Sequence, residues 1–419
     1  MEEVTKYYQK KIVNDPVYGF INLPDGLIYD LIEHPFFQRM RRIKQLGLTN
    51  LVYPGANHSR LQHAIGAFHL MNQAIDTIRL KGHEITNEES QGLQIAILLH
   101  DIGHGPYSHA LEKYFITGIS HEKISLNIFQ TMNLSLNGSL DLAISIFNNT
   151  YHKKFLHQLV SSQLDMDRLD YLKRDSFFTG VSEGVISSDR IIKMLNVVDD
   201  QLVVDEKGIY SIEKFLVARR LMYWQVYWHK TVLIAEQMLV AIFNRAKKLL
   251  STGTELFGTP ALIYFLKLNH TGNFNCLNNK TDEESLVFFC QLDDYDLMTA
   301  IKVWAQHQDL ILSFLCNSLI NRKLFKIEIY REPLNELKSN KIIDEISHKL
   351  QISASDASDL VIGGEISNNA YNMLDDRIEI LFKNNELKDI SDASDMFNIT
   401  VLSKEVKKYF LCYPKVLFS

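Results

Sequence analysis

Apolar residues recur three or four positions apart through most of the first 250 residues, which is the spacing of helices with one buried face. Leu61, Ile65, Phe68 and Leu70 follow this spacing and predict a helix over residues 59 to about 80. Further helices are predicted over residues 91–100 and over the runs DGLIYDLIEHPFFQRMRRIKQLG, HEKISLNIFQTM, HQLVSSQLDMDRLDYLKRDSFF and VARRLMYWQVYWHKTVLIAEQMLVAIFNRAKKLL. Before them, the run KIVNDPVYGFINLP predicts a short strand and a turn.

The pattern changes beyond residue 250. Loop-like stretches such as STGTELFGTP interrupt the helical spacing, and the runs KLFKIEIY, RIEILF and NITVL predict short strands. We therefore expect a mainly α-helical protein with a catalytic helical core over residues 1–250 and a smaller mixed α/β lobe over residues 251–419. We expect that C-terminal lobe to pack on the core and to take part in oligomerisation.

Composition and charge place the chain among ordinary globular proteins. Of its 419 residues, 46% are hydrophobic and 22% are charged, and the net charge of -6 argues against a surface dominated by attraction to nucleic acid or membranes. A local basic groove for nucleic acid stays possible. We see no secretory signal and no apolar run near the roughly 18–20 residues that cross a bilayer. The four cysteines form no CxxC pair and indicate free thiols, so we expect a cytoplasmic protein.

The segment LLHDIGHGPYSH places an unusual amount of polar chemistry where an apolar helix ends. Four of the 15 histidines fall within 22 residues, namely His100, His104, His109 and His121. A lone His-Asp pair is common by chance, but imidazoles clustered beside the Asp101 carboxylate form a ligand set suited to Mn, Fe, Ni or Zn, with Mg tolerated. His63 and Asp167 are polar positions on other apolar helices and are candidates for further ligands.

This pattern resembles the HD superfamily of metal-dependent phosphohydrolases, whose H…HD…D signature matches His63, His100-Asp101 and Asp167. The stretches YPGANHSRLQHAIGAFHL, HDIGHGPYSHALE, SHEK and DMDRLDYLKRD, with the spacing of RRLMYWQVYWHK, are similar to the deoxynucleoside triphosphate triphosphohydrolases. That branch includes bacterial dGTPases and the human SAM-and-HD-domain enzyme. The resemblance covers about residues 10–250 and implies an HD-domain helical core. It also implies that these four residues bind one or two divalent metal ions (Mn, Mg, Fe, Ni or Zn).

The resemblance further implies roles for the residues near the metal. His104 and His121 match phosphate contacts, and His109 matches a histidine beside the scissile α-phosphate. Glu112 and Glu122 are placed to orient those imidazoles, and the alternative is that both are solvated helix charges.

Substrate-binding positions are also implied by the resemblance. Phosphate-binding basic positions are matched by Arg60, Arg168 and Arg219, with Arg220 as the alternative to the last. Positions that line the deoxyribose are matched by Gln45, Leu46, Tyr171, Asp175 and Tyr227. On pattern alone, the two tyrosines would be interpreted as core aromatics.

The implied reaction is hydrolysis of a deoxynucleoside triphosphate (dNTP) at its α-phosphorus, with His109 protonating the leaving nucleoside oxygen. Two alternatives stay open: an HD phosphohydrolase acting on another nucleotide, such as a nucleotidase or phosphodiesterase, and a catalytically silent scaffold that binds nucleotide or nucleic acid. Relatives assemble as dimers, tetramers or hexamers, so we expect a homo-oligomer, and a nucleotide activator at a subunit interface is possible. Glu33-His34 stands where some relatives have an activator-reading aspartate, which argues against guanine-specific activation.

Overall fold

The structure is a computed structural model, and it describes residues 11–107, 110–111, 119–268, 280–334, 336–368, 371, 377–395 and 406–415. The helices are α1 (Leu27–Glu33), α2 (Pro35–Gln38), α3 (Arg60–Leu80), α4 (Asn87–Leu99), α5 (His121–Ser135), α6 (Asp141–Phe147), α7 (Lys154–Val160), α8 (Met166–Thr179), α9 (Ser188–Met194), α10 (Ile209–Met222), α11 (Lys230–Ser251), α12 (Pro260–Lys267), α13 (Lys280–Gln291), α14 (Asp294–Trp304), α15 (Leu310–Ile320), α16 (Glu336–Leu350), α17 (Ala354–Ser358) and α18 (Ile390–Ala393). The strands are β1 (Lys11–Asp15), β2 (Gly19–Leu23), β3 (Leu195–Val198), β4 (Gln201–Asp205), β5 (Lys326–Tyr330), β6 (Ile362–Asn368), β7 (Glu379–Leu381), β8 (Leu387–Asp389) and β9 (Val406–Tyr413).

Helix α3 is the centre of the helical core and is buried along most of its length. It begins directly after Ser59, whose backbone N–H donates to Oε1 of Gln62 at 2.8 Å in a capping box. The helix packs against α4 and α8. A methyl group on Gly66 would lie 2.1 Å from Oδ1 of Asp170 and from an Arg174 nitrogen, so a glycine is needed where α8 crosses. The predicted helix over residues 59–80 is confirmed.

Three long helical runs predicted from spacing are interrupted in the structure. The first breaks before Pro35, because a residue that precedes proline disfavours the α region, and His34 has ψ of 136°. The second breaks between α7 and α8, where Asp165 turns out of the helix and accepts the N–H of Arg168. The third contains a π-helical turn at Tyr223–Tyr227 and restarts after His229, whose Nδ1 accepts from Thr231 N–H.

Three sheets accompany the helices: the hairpin β1–β2, a sheet in the order β3-β4-β7-β8, and a sheet in the order β5-β9-β6. The hairpin β3–β4 was not predicted; it turns through Asp199 and Asp200, both with positive φ. Strand β4 pairs in parallel with β7, and this pairing joins the C-terminal region to the helical core.

The positions of the strands test the predicted fold class. The predicted strands in KLFKIEIY and RIEILF are confirmed as β5 and β7, whereas NITVL lies outside the described residues. A mainly α-helical protein with a mixed C-terminal lobe is thus confirmed, and the division at residue 250 stays a prediction.

Two further features of the described residues concern the cysteines and the lengths of the helices. Cys290, Cys316 and Cys412 are buried free thiols, and Cys276 lies outside the described residues. None of the described helices is both long enough and apolar enough to cross a membrane.

Candidate active site

A cluster of two imidazoles and two carboxylates forms where α3, α4 and α8 meet. Nε2 of His63 lies 3.3 Å from Nε2 of His100, and ligand atoms of these two and Asp101 all lie within 4.8 Å of one another. Oδ1 of Asp167 lies 3.1 Å from the His63 nitrogen and 3.5 Å from the His100 nitrogen. The structure therefore brings together all four residues predicted as metal ligands.

The outer side of each imidazole is fixed by a hydrogen bond, so both Nε2 atoms face the centre of the cluster. Nδ1 of His63 lies 2.7 Å from Oδ2 of Asp170, and Nδ1 of His100 donates to the carbonyl of Ile97 at 2.7 Å. A partner of this kind sets the tautomer that a metal-binding histidine needs. Two inward nitrogens and two carboxylates therefore fit a divalent transition metal.

The charge of the cluster supports the same conclusion. Burial alone would lower the pKa of His63, but hydrogen bonds to Asp167 and Asp170 raise it to about 10. Burial alone would raise the pKa of Asp101, but His100 and Arg60 hold it well below its usual value. The carboxylates around His63 thus hold a positive charge at the position where a metal ion would replace the proton.

Asp170 belongs to a buried chain of ion pairs that anchors the cluster in the core. Its carboxylate accepts two hydrogen bonds from Arg174, both at 2.9 Å, and Arg174 also donates to Asp15 at 2.7 Å. Asp15, Asp170 and Arg174 are all buried. The prediction missed all three, although Asp167, Asp170 and Arg174 are spaced three and four apart, which places them along one helix face.

Residues predicted to contact phosphates surround the open side of the cluster. Nε2 of His104 lies 3.2 Å from Oδ1 of Asp101, and its ring stacks on that of His121 at 3.9 Å. Arg60 donates to Oδ2 of Asp101 at 2.5 Å. Burial, followed by the charge of Arg60, lowers the pKa of His104 well below its usual value, so this imidazole is neutral at neutral pH.

A buried arginine holds the turn that carries His104. The guanidinium of Arg39 is 0% exposed and donates to the His104 carbonyl at 2.9 and 2.7 Å and to the Ile102 carbonyl at 3.4 Å. Asp294 accepts the Tyr107 N–H at 3.0 Å from the other side. Sequence reasoning identified neither, because both act on backbone groups brought near only by folding.

The cluster opens into a cavity of about 500 Å³. Eleven of the predicted site residues line it: Gln45, Leu46, Arg60, Asp101, His104, His121, Asp167, Arg168, Tyr171, Asp175 and Tyr227. His63 and His100 are buried beside it. Ile366, from β6, also lines the cavity, so the C-terminal region contributes to its wall.

Three residues named from the sequence lie elsewhere, and two lie outside the described residues. Arg219 is buried but does not line the cavity. Burial, followed by Tyr223, raises the pKa of Tyr171, and the positive charge of Arg219 acts in the opposite direction. Arg220 is half-buried and also lines no part of it. Glu122 is largely exposed, with Oε1 3.2 Å from Nε2 of His121. His109 and Glu112 lie outside the described residues.

Another wall of the cavity is organised around Asp175. Its Oδ1 lies 2.8 Å from Nε2 of His58, and its Oδ2 accepts the Tyr227 hydroxyl at 2.8 Å. Burial, followed by the Asp175 charge, raises the pKa of Tyr227 well above its usual value, so the phenol keeps the proton it donates. The π-helical turn contributes both Tyr223 and Tyr227 to this wall, a frequent use of π-helical turns.

Comparison with known proteins agrees with this geometry. Residues 60–175 match the HD domain family, and residues 186–255 match the HD associated region. The crystal structure of a phosphohydrolase from Bacteroides thetaiotaomicron is 54% identical, with a TM-score of 0.92 over 97% of this chain and 100% of that one.

Two relatives extend the comparison. The uncharacterized protein YwfO of Bacillus subtilis is 32% identical over 98% of this chain and 94% of its own length. The deoxynucleoside triphosphate triphosphohydrolase SAMHD1 homolog of Dictyostelium discoideum is 34% identical over 59% of this chain, and the match spans about half (51%) of that relative. With its buried His63 and His100-Asp101, the half-buried Asp167 beside them and these matches, the chain belongs to the HD-domain superfamily of phosphohydrolases.

Proposed function

We propose that this phosphohydrolase converts dNTPs into a deoxynucleoside and inorganic triphosphate. The observation that carries the proposal is the single cavity that joins three kinds of wall: the metal-ligand cluster, the basic residues Arg60 and Arg168, and the wall around Asp175. A dNTP has a triphosphate, a sugar and a base, and binding all three requires adjacent surfaces of different chemistry in one cavity. The relatives whose names include deoxynucleoside triphosphate triphosphohydrolase support the same substrate class.

The basic residues are suited to the phosphate end of the substrate. Arg60 is held against Asp101, and Nε of Arg168 donates to the Ser162 carbonyl at 2.5 Å, so neither guanidinium must be ordered anew on binding. Burial alone would lower the pKa of Arg168, but the charge of Asp165 raises it, so it stays cationic. Preorganised guanidinium groups bind phosphate oxygens with two parallel hydrogen bonds.

The proposed reaction is a displacement at the α-phosphorus. A water oxygen forms a bond to phosphorus and releases one proton to the solvent. The bond from phosphorus to the 5′-oxygen breaks, and the leaving oxygen takes a proton. His63, His100, Asp101 and Asp167 would hold a divalent metal, which would supply Lewis acidity and activate water at neutral pH. We assign the proton donation to His109, and His104 and His121 bind the transferred phosphate oxygens.

The sugar wall supports preference for a deoxyribose. Gln45 presents an Oε1 that no described residue satisfies, and it lies in the same cavity as the Asp175 carboxylate. We assign these two groups to the 3′-hydroxyl, and Leu46 with Tyr227 to the space beside C2′. A ribose would place a hydroxyl against apolar surface there, without a partner.

The test compares dGTP, GTP and the 2′,3′-dideoxy analogue on purified protein with Mn²⁺, with chromatographic separation of triphosphate, diphosphate and monophosphate products. We expect triphosphate from dGTP and poor turnover of the other two. Asp175→Ala should lose activity on dNTPs, and His100→Ala should lose both turnover and bound metal while keeping its helical circular dichroism. Equal rates on dGTP and GTP, or release of orthophosphate in place of triphosphate, would favour another nucleotide substrate.

Several finer points rest on the resemblance. The choice among Mn, Mg, Fe, Ni and Zn, the homo-oligomer, the nucleotide activator and the cytoplasmic location stay predictions. Native mass spectrometry with and without each dNTP tests the assembly and the activator together.

A further inference from the structure

One part of the cavity wall consists of residues that we assign neither to the phosphates nor to the sugar. It includes Gly47, Trp228, Leu233, Glu236, Gln237 and Ile366. Glu236 is the only one of these with a charged side chain. Trp228, Leu233 and Ile366 offer apolar surface, which suits the faces of a nucleobase.

Glu236 stands beside the loop that we assign to the sugar. A methyl group on Gly47 would lie 3.8 Å from Oε1 of Glu236, and Gly47 directly follows Leu46. Leu46 is assigned to the space beside C2′, and the base is bonded to the neighbouring atom C1′. The Glu236 carboxyl is therefore placed where the edge of the base would lie.

The Glu236 carboxyl also has unused hydrogen-bonding capacity. Among the described residues, no hydrogen bond or ion pair reaches it, and burial raises its pKa to about 8. A desolvated carboxyl without a cationic partner is costly to maintain unless a ligand supplies donors. Such a group in a substrate cavity is a candidate for recognition of that substrate.

We propose that Glu236 selects guanine, by accepting the ring N1–H and the exocyclic N2–H of the base on its two carboxylate oxygens. This inference rests on the proposed dNTP hydrolysis and deepens it. Guanine is the one common base with two adjacent N–H donors on its Watson–Crick edge. On the same edge, adenine, cytosine and thymine each have an acceptor next to the N–H donor. Those three bases would leave one carboxylate oxygen facing an acceptor.

The expected magnitude favours recognition in the ionised form. With a pKa of about 8, the Glu236 carboxyl is ionised in about one molecule in ten at pH 7. Binding that requires the ionised form therefore lowers the apparent affinity for the base about tenfold. Each charge-assisted hydrogen bond to the carboxylate is worth roughly 10- to 150-fold. Two such bonds therefore outweigh the loss of the proton.

The test uses dITP, whose base lacks the N2 amino group and is otherwise the same as guanine. For the wild type, kcat/KM should be roughly 10- to 150-fold higher for dGTP than for dITP. In Glu236→Gln the shape is kept but one acceptor becomes a donor, so the dGTP-to-dITP ratio should fall close to one. Rates on dATP, dCTP and dTTP should rise relative to the rate on dGTP, because the new amide donor meets the acceptor that faced a carboxylate oxygen. The thermal midpoint should not fall, because no described hydrogen bond or ion pair reaches the carboxyl.

The outcomes separate this inference from the proposed function. If no dNTP yields triphosphate, the proposed function fails. If dNTPs are hydrolysed but the wild-type ratio of dGTP to dITP is near one, or is unchanged in Glu236→Gln, only the guanine assignment is overturned. An equal loss on all four dNTPs in Glu236→Gln would likewise overturn it, because Glu236 would then act on a part common to every substrate.

Discussion

Replacing Asp170 with Asn tests whether the buried ion-pair chain holds the metal site in order. Asp170 presents two oxygens to three N–H groups: Nδ1 of His63 at 2.7 Å and two Arg174 nitrogens at 2.9 Å. Asparagine has the same shape but only one acceptor oxygen, so one donor meets an NH₂ group. His63 then loses its fixed tautomer, or Arg174 loses part of its compensation.

The two consequences have different magnitudes. Loss of the partner that orients a metal-binding histidine typically lowers metal affinity 10- to 100-fold, or about 1.4–2.7 kcal/mol. Breaking a fully buried ion pair costs about 3–5 kcal/mol of unfolding free energy. Because Asp15 still pairs with Arg174 at 2.7 Å, we expect the lower end of that range.

The matched control is Asp15→Asn. Asp15 is buried and contacts the same arginine, but no described hydrogen bond or ion pair joins it to His63. Calorimetric titration of EDTA-treated protein with Mn²⁺ should show weaker binding only for Asp170→Asn, while urea denaturation should show destabilisation of both variants. An Asp170→Asn protein that binds Mn²⁺ with the wild-type Kd would refute the orienting role of Asp170.

Three other perturbations test other parts of the site. Adding Mn²⁺ at 100 times its Kd to EDTA-treated protein should stabilise it by about 2.7 kcal/mol in scanning calorimetry, and His100→Ala should respond little. Arg60→Met should weaken binding of inorganic triphosphate by about 1.5–3 kcal/mol in titration calorimetry; the exposed Arg190→Met is the control, and an equal effect of both would contradict the assignment. Arg39→Met leaves the Ile102 and His104 carbonyls without their Arg39 donor. It should lower the free energy of unfolding by about 1–3 kcal/mol and also lower kcat. If neither value changes, Arg39 does not hold the turn that carries His104.

The sequence by itself determined the helical class and predicted four metal ligands, which the structure brings together. Helix α3 could be predicted because its apolar spacing and its capping Ser59 are local signals, which act within a few residues. The cluster could be predicted because metal binding needs a few residue types, and these stand out on apolar helices. The resemblance extended this to Gln45, Arg168 and Asp175, which line the same cavity.

Only the tertiary structure decided which groups support those residues. His58, Arg39 and Asp170 act through contacts with residues 117, 65 and 107 positions away in the chain, so no local pattern identifies them. The same holds for Glu236, which looks like one more polar position on an amphipathic helix. Its isolation in the cavity arises when α11 packs beside Gly47, because burial and loss of water are properties of the folded arrangement.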